Sequence, residues 1–105
     1  MRLATEFWIK AYITRLRAVH IPVYVVRHGE DTSGGVLVKV ALLNGQTHIF
    51  EQRYDMLSDA RKWECVFQGS DQEANEWSDR QAGRDPDLWV IELEDREGRH
   101  LLDEM

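Results

Sequence analysis

The stretch Val36–Arg53, VLVKVALLNGQTHIFEQR, decides the fold. Val36–Leu43 is a near-continuous apolar run interrupted by Lys39, Asn44-Gly45 follows directly, and Gln46–Arg53 resumes with strand-forming residues. Asn-Gly between two such runs is a strong hairpin signal, because a type I′ turn needs positive φ at both central positions. The reading is two antiparallel strands joined by a two-residue loop flanked by Leu43 and Gln46. Lys39 is the odd residue in this run. On a strand covered on both faces it would need an acid partner or a ligand. On a sheet with one wet face it would simply lie in water, which is the reading adopted.

Upstream, Thr5 to about Val19 has helical spacing: Ile9, Tyr12, Ile13 and Leu16 share one face, widened by Trp8 and Val19. Thr5 is placed as N-cap. Pro22 ends the helix, Val23–Arg27 is a short β-branched strand, and HGEDTSGG (28–35) is a polar loop. Downstream, Asp55–Ala60 is a connection. Arg61–Gln68 alternates, which puts Trp63, Cys65 and Phe67 on one face with Cys65 as a small core residue. Ser70 and Glu73 form a capping box for a helix over about Asp71–Ala82, with Gly83 as its C′ residue and Pro86 beyond. Leu88–Glu94 is a strand, Asp95–Gly98 a turn, and Arg99–Leu102 a short return strand. Runs of strands with few intervening helices imply an α+β fold. The expected form is one small domain (1–105), a mostly antiparallel sheet of four to six strands, and two helices on one face, in the order α-β-β-β-β-α-β-β.

The chain has 105 residues, 30% of them charged, with a net charge of −6 and one cysteine. No internal disulfide can form. No run approaches the ~18 apolar residues of a membrane span, and Lys10, Arg15 and Arg17 break up any signal-peptide core. A cytoplasmic protein that does not engage membranes is expected. Residues 1–40 carry six Lys/Arg against three Asp/Glu, and residues 41–105 seven against sixteen. That acidic balance, without a basic cluster, argues against nucleic acid as a partner.

The string VYVVRHGE (23–30) resembles the opening of the histidine phosphatase superfamily, in which a His at a strand end accepts a phosphoryl group and arginines hold its oxygens. His20, His48 and His100 stand in no matching context for the second catalytic His, and the chain is too short for that fold. His28 with Glu30 and Asp31 has ligand chemistry but no second cluster, so no metal and no cofactor is expected. In Arg84-Asp85-Pro86-Asp87, Asp before Pro is read as a turn former.

The opening RLATEFWIKAYITRLRAVHIPVYVVRHGEDTSGGVLVKV and the closing DPDLWVIELEDREGRHLLDE resemble an uncharacterised bacterial family, domain of unknown function 1491, over essentially the full length. The resemblance implies a short intracellular protein and carries no site residues over. What the residues themselves favour is a protein-interaction or ligand-binding module without catalytic activity. Its binding candidates are Trp77, Trp89, Arg27, His28 and Lys39. Trp77 and Trp89 are expected to form a partly exposed pair that docks an unknown protein partner or a second copy as a homodimer. The alternative is a small enzyme acting on a phosphorylated or acidic substrate through Arg27, His28 and Lys39.

Overall fold

The computed structural model describes residues 3–105. Helix α1 (Thr5–Ala18) leads into strand β1 (Val23–Arg27), followed by β2 (Val36–Ala41), β3 (Gln46–Asp55), β4 (Ala60–Ser70), helix α2 (Asp71–Arg84) and β5 (Trp89–Glu94). A 3-10 turn, Leu102–Glu104, closes the chain where a return strand was expected, with Leu101 left-handed at its start. The sheet order is β1-β5-β2-β3-β4, so β5 inserts between β1 and β2. It runs antiparallel to β1 and parallel to β2, and the other pairings are antiparallel. The fold is α+β, with two helices and a five-stranded, mostly antiparallel sheet.

The helices lie on opposite faces of the sheet, not on one. Alternation along β2 shows it: Val38 and Val40 pack with Ile9, Tyr12 and Leu16 of α1, whereas Leu37 packs with Ile49, Val90 and Ala74 of α2. Leu37–Val40 is buried throughout, as is Trp89–Ile91. Trp89–Ile91 is wholly apolar and Leu37–Val40 is apolar but for Lys39, the composition that fills doubly covered strands.

Local expectations change in the β2–β3 turn, in β4 and at the end of α2. The β2–β3 turn has positive φ at Leu43 and Gly45, not at Asn44. Leu42 N–H donates to the Gln46 carbonyl at 3.0 Å, so the loop holds three residues, and the Asn44 side chain accepts from Gln46 N–H at 3.0 Å. In β4 the register shifts, so that Cys65 pairs with Phe50 but Phe67 with Ile49. The extra residue, Val66, sends Trp63 to the α1 face and Phe67 to the α2 face, and Cys65 is exposed on the edge strand. Gly83 stays within α2, which runs to Arg84 and stops before Pro86. The capping box at its start is present: Glu73 N–H donates to Ser70 Oγ, and Ser70 N–H to Glu73 Oε1.

Thr5 is the first residue of α1, with Ala4 at the N-cap. The start of α1 is instead satisfied by loop 28–35: Thr5 and Glu6 N–H donate to the Thr32 and Asp31 carbonyls, and Thr5 Oγ1 donates to that of Gly34. The loop is in turn held to the segment before β5. Glu30 N–H donates to the Asp87 carbonyl at 3.0 Å, and Trp89 Nε1 to the Glu30 carbonyl at 2.8 Å. A Cβ on Gly29 or Gly34 would overlap the Asp87 carbonyl oxygen. At the far end of α1, buried Tyr12 donates to the His100 carbonyl at 2.7 Å, and burial raises the Tyr12 pKa. The His100 ring lies against Phe50 and accepts from Leu102 N–H through Nδ1.

Gly34→Ala should lose about 1–3 kcal/mol by forcing loop and Asp87 apart. Gly83→Ala, which meets nothing within 4 Å, should gain about 0.5–1 kcal/mol. Urea unfolding measures both. Desolvation holds His100 below its ordinary value of 6.5, so the unfolded chain binds its proton first. The stability this contributes is present above pH 6.5 and is lost as pH falls through the folded value. Thermal midpoints should therefore drop between about pH 7 and about pH 5, and less steeply in His100→Gln.

Candidate functional site

Helix α2 packs over β4, β3 and β2. The β1–β5 side of that face is left open, and a groove of about 910 Å³ lies there. Its walls include Val26 and Arg27 of β1, Glu92 of β5, and Asn75 and Asp79 one turn apart on α2, and Lys39 lines it too. The antiparallel and parallel registers place Ile49, Lys39, Glu92 and Tyr24 in one row across the sheet.

Lys39 is 3% exposed, so it does not lie on a wet face. The reason is the second helix layer: α2 covers the face on which Lys39 projects. Its ammonium donates to Asn75 Oδ1 and sits 3.4 Å from Glu92 Oε1. An ammonium has three donors, so one remains for the groove. Arg27 reaches the same groove. Its terminal Nη2 donates to the Pro86 carbonyl at 3.3 Å, and its Nε is buried without a hydrogen-bond partner. A buried unmade donor costs free energy of order 1–3 kcal/mol, which an acceptor entering the groove would recover.

The other sequence candidates lie elsewhere. His28 does not join Arg27 and Lys39. Its exposed ring lies 3.9 Å from that of Trp89, itself a core residue beneath α1, and its Nε2 is 2.7 Å from Asp31 Oδ1. Glu30 serves the loop backbone: it accepts from Ser33 and Thr32 N–H, and these bonds hold its carboxyl below the usual range. Trp89 is 3% exposed, so the expected surface pair with Trp77 does not form. Trp77 is half-buried on the opposite face, stacked on Phe67 at 5.7 Å. Asp85 does shape its turn, accepting from Asp87 N–H at 3.1 Å.

A feature missed in the sequence is an aromatic row, Tyr12–Trp8–Trp63, with ring centroids 4.9 and 5.1 Å apart. It borders a second, smaller depression of about 300 Å³ that also includes Arg61 and Gln52. No local pattern links Trp8 to Trp63, because only the long-range placement of α1 against β4 brings them together. Among the described residues no group of three or more His, Cys, Asp or Glu is placed to hold a metal, and no helix is long and apolar enough to cross a membrane.

These features define a mixed five-stranded sheet with one helix on each face and a charged groove beside the second helix. The chain belongs to the family described as "Protein of unknown function (DUF1491)", whose model matches residues 3–103. A crystal structure of a DUF1491 family protein from Caulobacter crescentus is similar at 33% identity and a TM-score of 0.85, over 99% of this chain and 96% of that one. An NMR structure of a DUF1491 family protein from the same organism gives 34% and 0.83, over 97% and 94%. The solution structure of a protein from A. tumefaciens gives 26% and 0.80, over 97% and 93%. No curated protein matches the chain.

The Lys39–Glu92 pair is asymmetric, with side-chain exposures of 4% and 31%. If Lys39 is lost, Glu92 can take up water; if Glu92 is lost, a buried ammonium keeps only Asn75. Glu92→Leu should therefore destabilise more than Lys39→Met, by at least about 1 kcal/mol in urea unfolding, although both remove the same pair.

Proposed function

We propose that the protein is a small cytoplasmic binding module, without catalytic activity, that takes a small acidic ligand in the groove beside α2. Arg27 and Lys39 hold the ligand's carboxylate or phosphate oxygens. The observation that carries this reading is the convergence of the two cations on one groove, each with a donor left over: Arg27 Nε and the third Lys39 proton. Guanidinium and ammonium groups with unmet donors favour an anionic acceptor over a neutral one. Glu92 and Asp79 in the walls set a limit, because they repel a large polyanion and leave room for one acidic group. The acidic balance of the chain points the same way, away from nucleic acid.

Binding is favoured over group transfer because the groove hydroxyl is engaged by its own helix. Ser78 Oγ donates to the Asn75 carbonyl at 3.1 Å. His28, the one base that the alternative enzyme reading required, is turned away against Trp89.

Separate NMR titrations with inorganic phosphate and with succinate test the proposal and distinguish the two acid types. At least one should shift the backbone amides of residues 26–27, 39, 75–79 and 90–92 saturably. Arg27→Gln and Lys39→Met should each weaken that binding tenfold or more, a loss of about 1.4 kcal/mol. His28→Ala should leave it unchanged. The absence of saturable shifts at these amides with either anion, or undiminished binding in Lys39→Met, would overturn the reading.

A further inference from the structure

The two edges of the sheet differ in chemistry. Strand β4 presents Arg61, Lys62 and Glu64 to solvent and carries a register shift, both devices that discourage pairing with another chain. Strand β1 does the opposite: Tyr24, Val25 and Val26 are 52%, 45% and 56% exposed, and Arg27, its one charged residue, lines the groove.

The backbone of β1 is also open along that edge. Glu94 N–H donates to the Pro22 carbonyl at 3.0 Å, and the register continues Val23↔Leu93, Tyr24↔Glu92, Val25↔Ile91. In an antiparallel ladder bonded and non-bonded pairs alternate. Pro22 and Tyr24 therefore bond inward to β5, and the N–H and C=O of Val23 and Val25 point outward. Strand β1 is at the edge of the sheet with β5 as its one strand neighbour, and among the described residues no turn, loop or cap bond reaches these four groups.

We propose that β1 pairs with β1 of a second copy, antiparallel about a two-fold axis at Tyr24, doubling the five-stranded sheet. In that register Val23 faces the partner's Val25 and Val25 the partner's Val23. Each pair exchanges two bonds, so all outward groups are satisfied at once. Pro22, which has no N–H to donate, faces Val26 at the end of the run. Tyr24 meets the partner's Tyr24 at a non-bonded position, where side chains approach most closely and aromatic pairs contribute to sheet stability. No charge falls opposite another anywhere between Pro22 and Val26. This self-complementarity is what selects a second copy as the occupant, since an isologous contact requires one patch to fit itself. The register shift after Val25 ends the run and limits the interface to one short strand, so a reversible dimer is expected.

Sedimentation equilibrium across the micromolar range tests the proposal and reads mass, so its outcome is separate from that of the anion titration. The wild type should approach twice 12.3 kDa as concentration rises. Val25→Pro should remain a monomer with unchanged secondary structure, because the N–H it removes points away from β5. Tyr24→Lys, which puts two ammonium groups on the axis, should also remain a monomer. In a Cys65→Ser background, Tyr24→Cys should oxidise to a linked dimer, since Cα atoms at such a position lie about 4.5 Å apart. A wild type that stays monomeric throughout, a Tyr24→Cys variant that does not cross-link, or a folded Val25→Pro variant that still dimerises would each overturn the proposal.

Discussion

Pairing β5 parallel to β2, from Val36↔Trp89 to Ala41↔Glu94, forces the chain to cross from β4 at one edge back to the middle of the sheet. That crossing is made by α2, which must lie over a face of β2, β3 and β4 to span the distance. Once α2 occupies that face, α1 covers the other, and β2 and β5 become interior strands. The continuous burial of Leu37–Val40 and Trp89–Ile91 is a consequence of this single connection. So is the position of Lys39, a cation that the crossover encloses and that Glu92 and Asn75 then accommodate.

The groove has the same origin. A helix of 14 residues that starts over β3 and β4 cannot also cover β1, so the sheet is wider than its lid on that side. Arg27 and Glu92 line what is left open. On the opposite layer Trp8, Tyr12 and Trp63 stack in a row beside the smaller depression, and Tyr12 ties the helix to the C-terminal segment at His100.

Loop 28–35 is the joint between the two layers. It caps α1 through the carbonyls of Asp31 and Thr32, and it meets the segment before β5 through Glu30 and Asp87. Gly29 and Gly34 allow the two backbones to approach, and the Glu30 side chain folds back on the amides of Thr32 and Ser33. The polar residues His28, Glu30 and Asp31, which in the sequence suggest phosphoryl or metal chemistry, are engaged in holding this joint. Their local pattern is real, but its purpose is visible only when the partners from β5 are in place.

Local signals were legible wherever their cause was local. Both helices, the β1, β2 and β3 segments, the capping box of Ser70 and Glu73, and the turn at Asp85 follow from periodicity, side-chain branching and hydrogen bonds spanning a few residues. The failures share one feature. Local pattern puts Lys39 in water, Cys65 in the core, Trp89 at the surface and both helices on one face, but each of these depends on what covers a strand, and that is decided by residues far away in the chain. The inserted Val66 reverses the pleat after Cys65 without leaving a mark in the alternation of Trp63, Cys65 and Phe67. Of the candidate site, sequence supplied Lys39 as an unusual cation and Arg27 through its place beside His28 in the phosphatase-like string, and the tertiary structure decided that the two cations share a groove while His28 does not. The physical reason is range: capping, turn geometry and amphipathic spacing act within a few residues, whereas burial and convergence are set by strand order, which no single segment encodes.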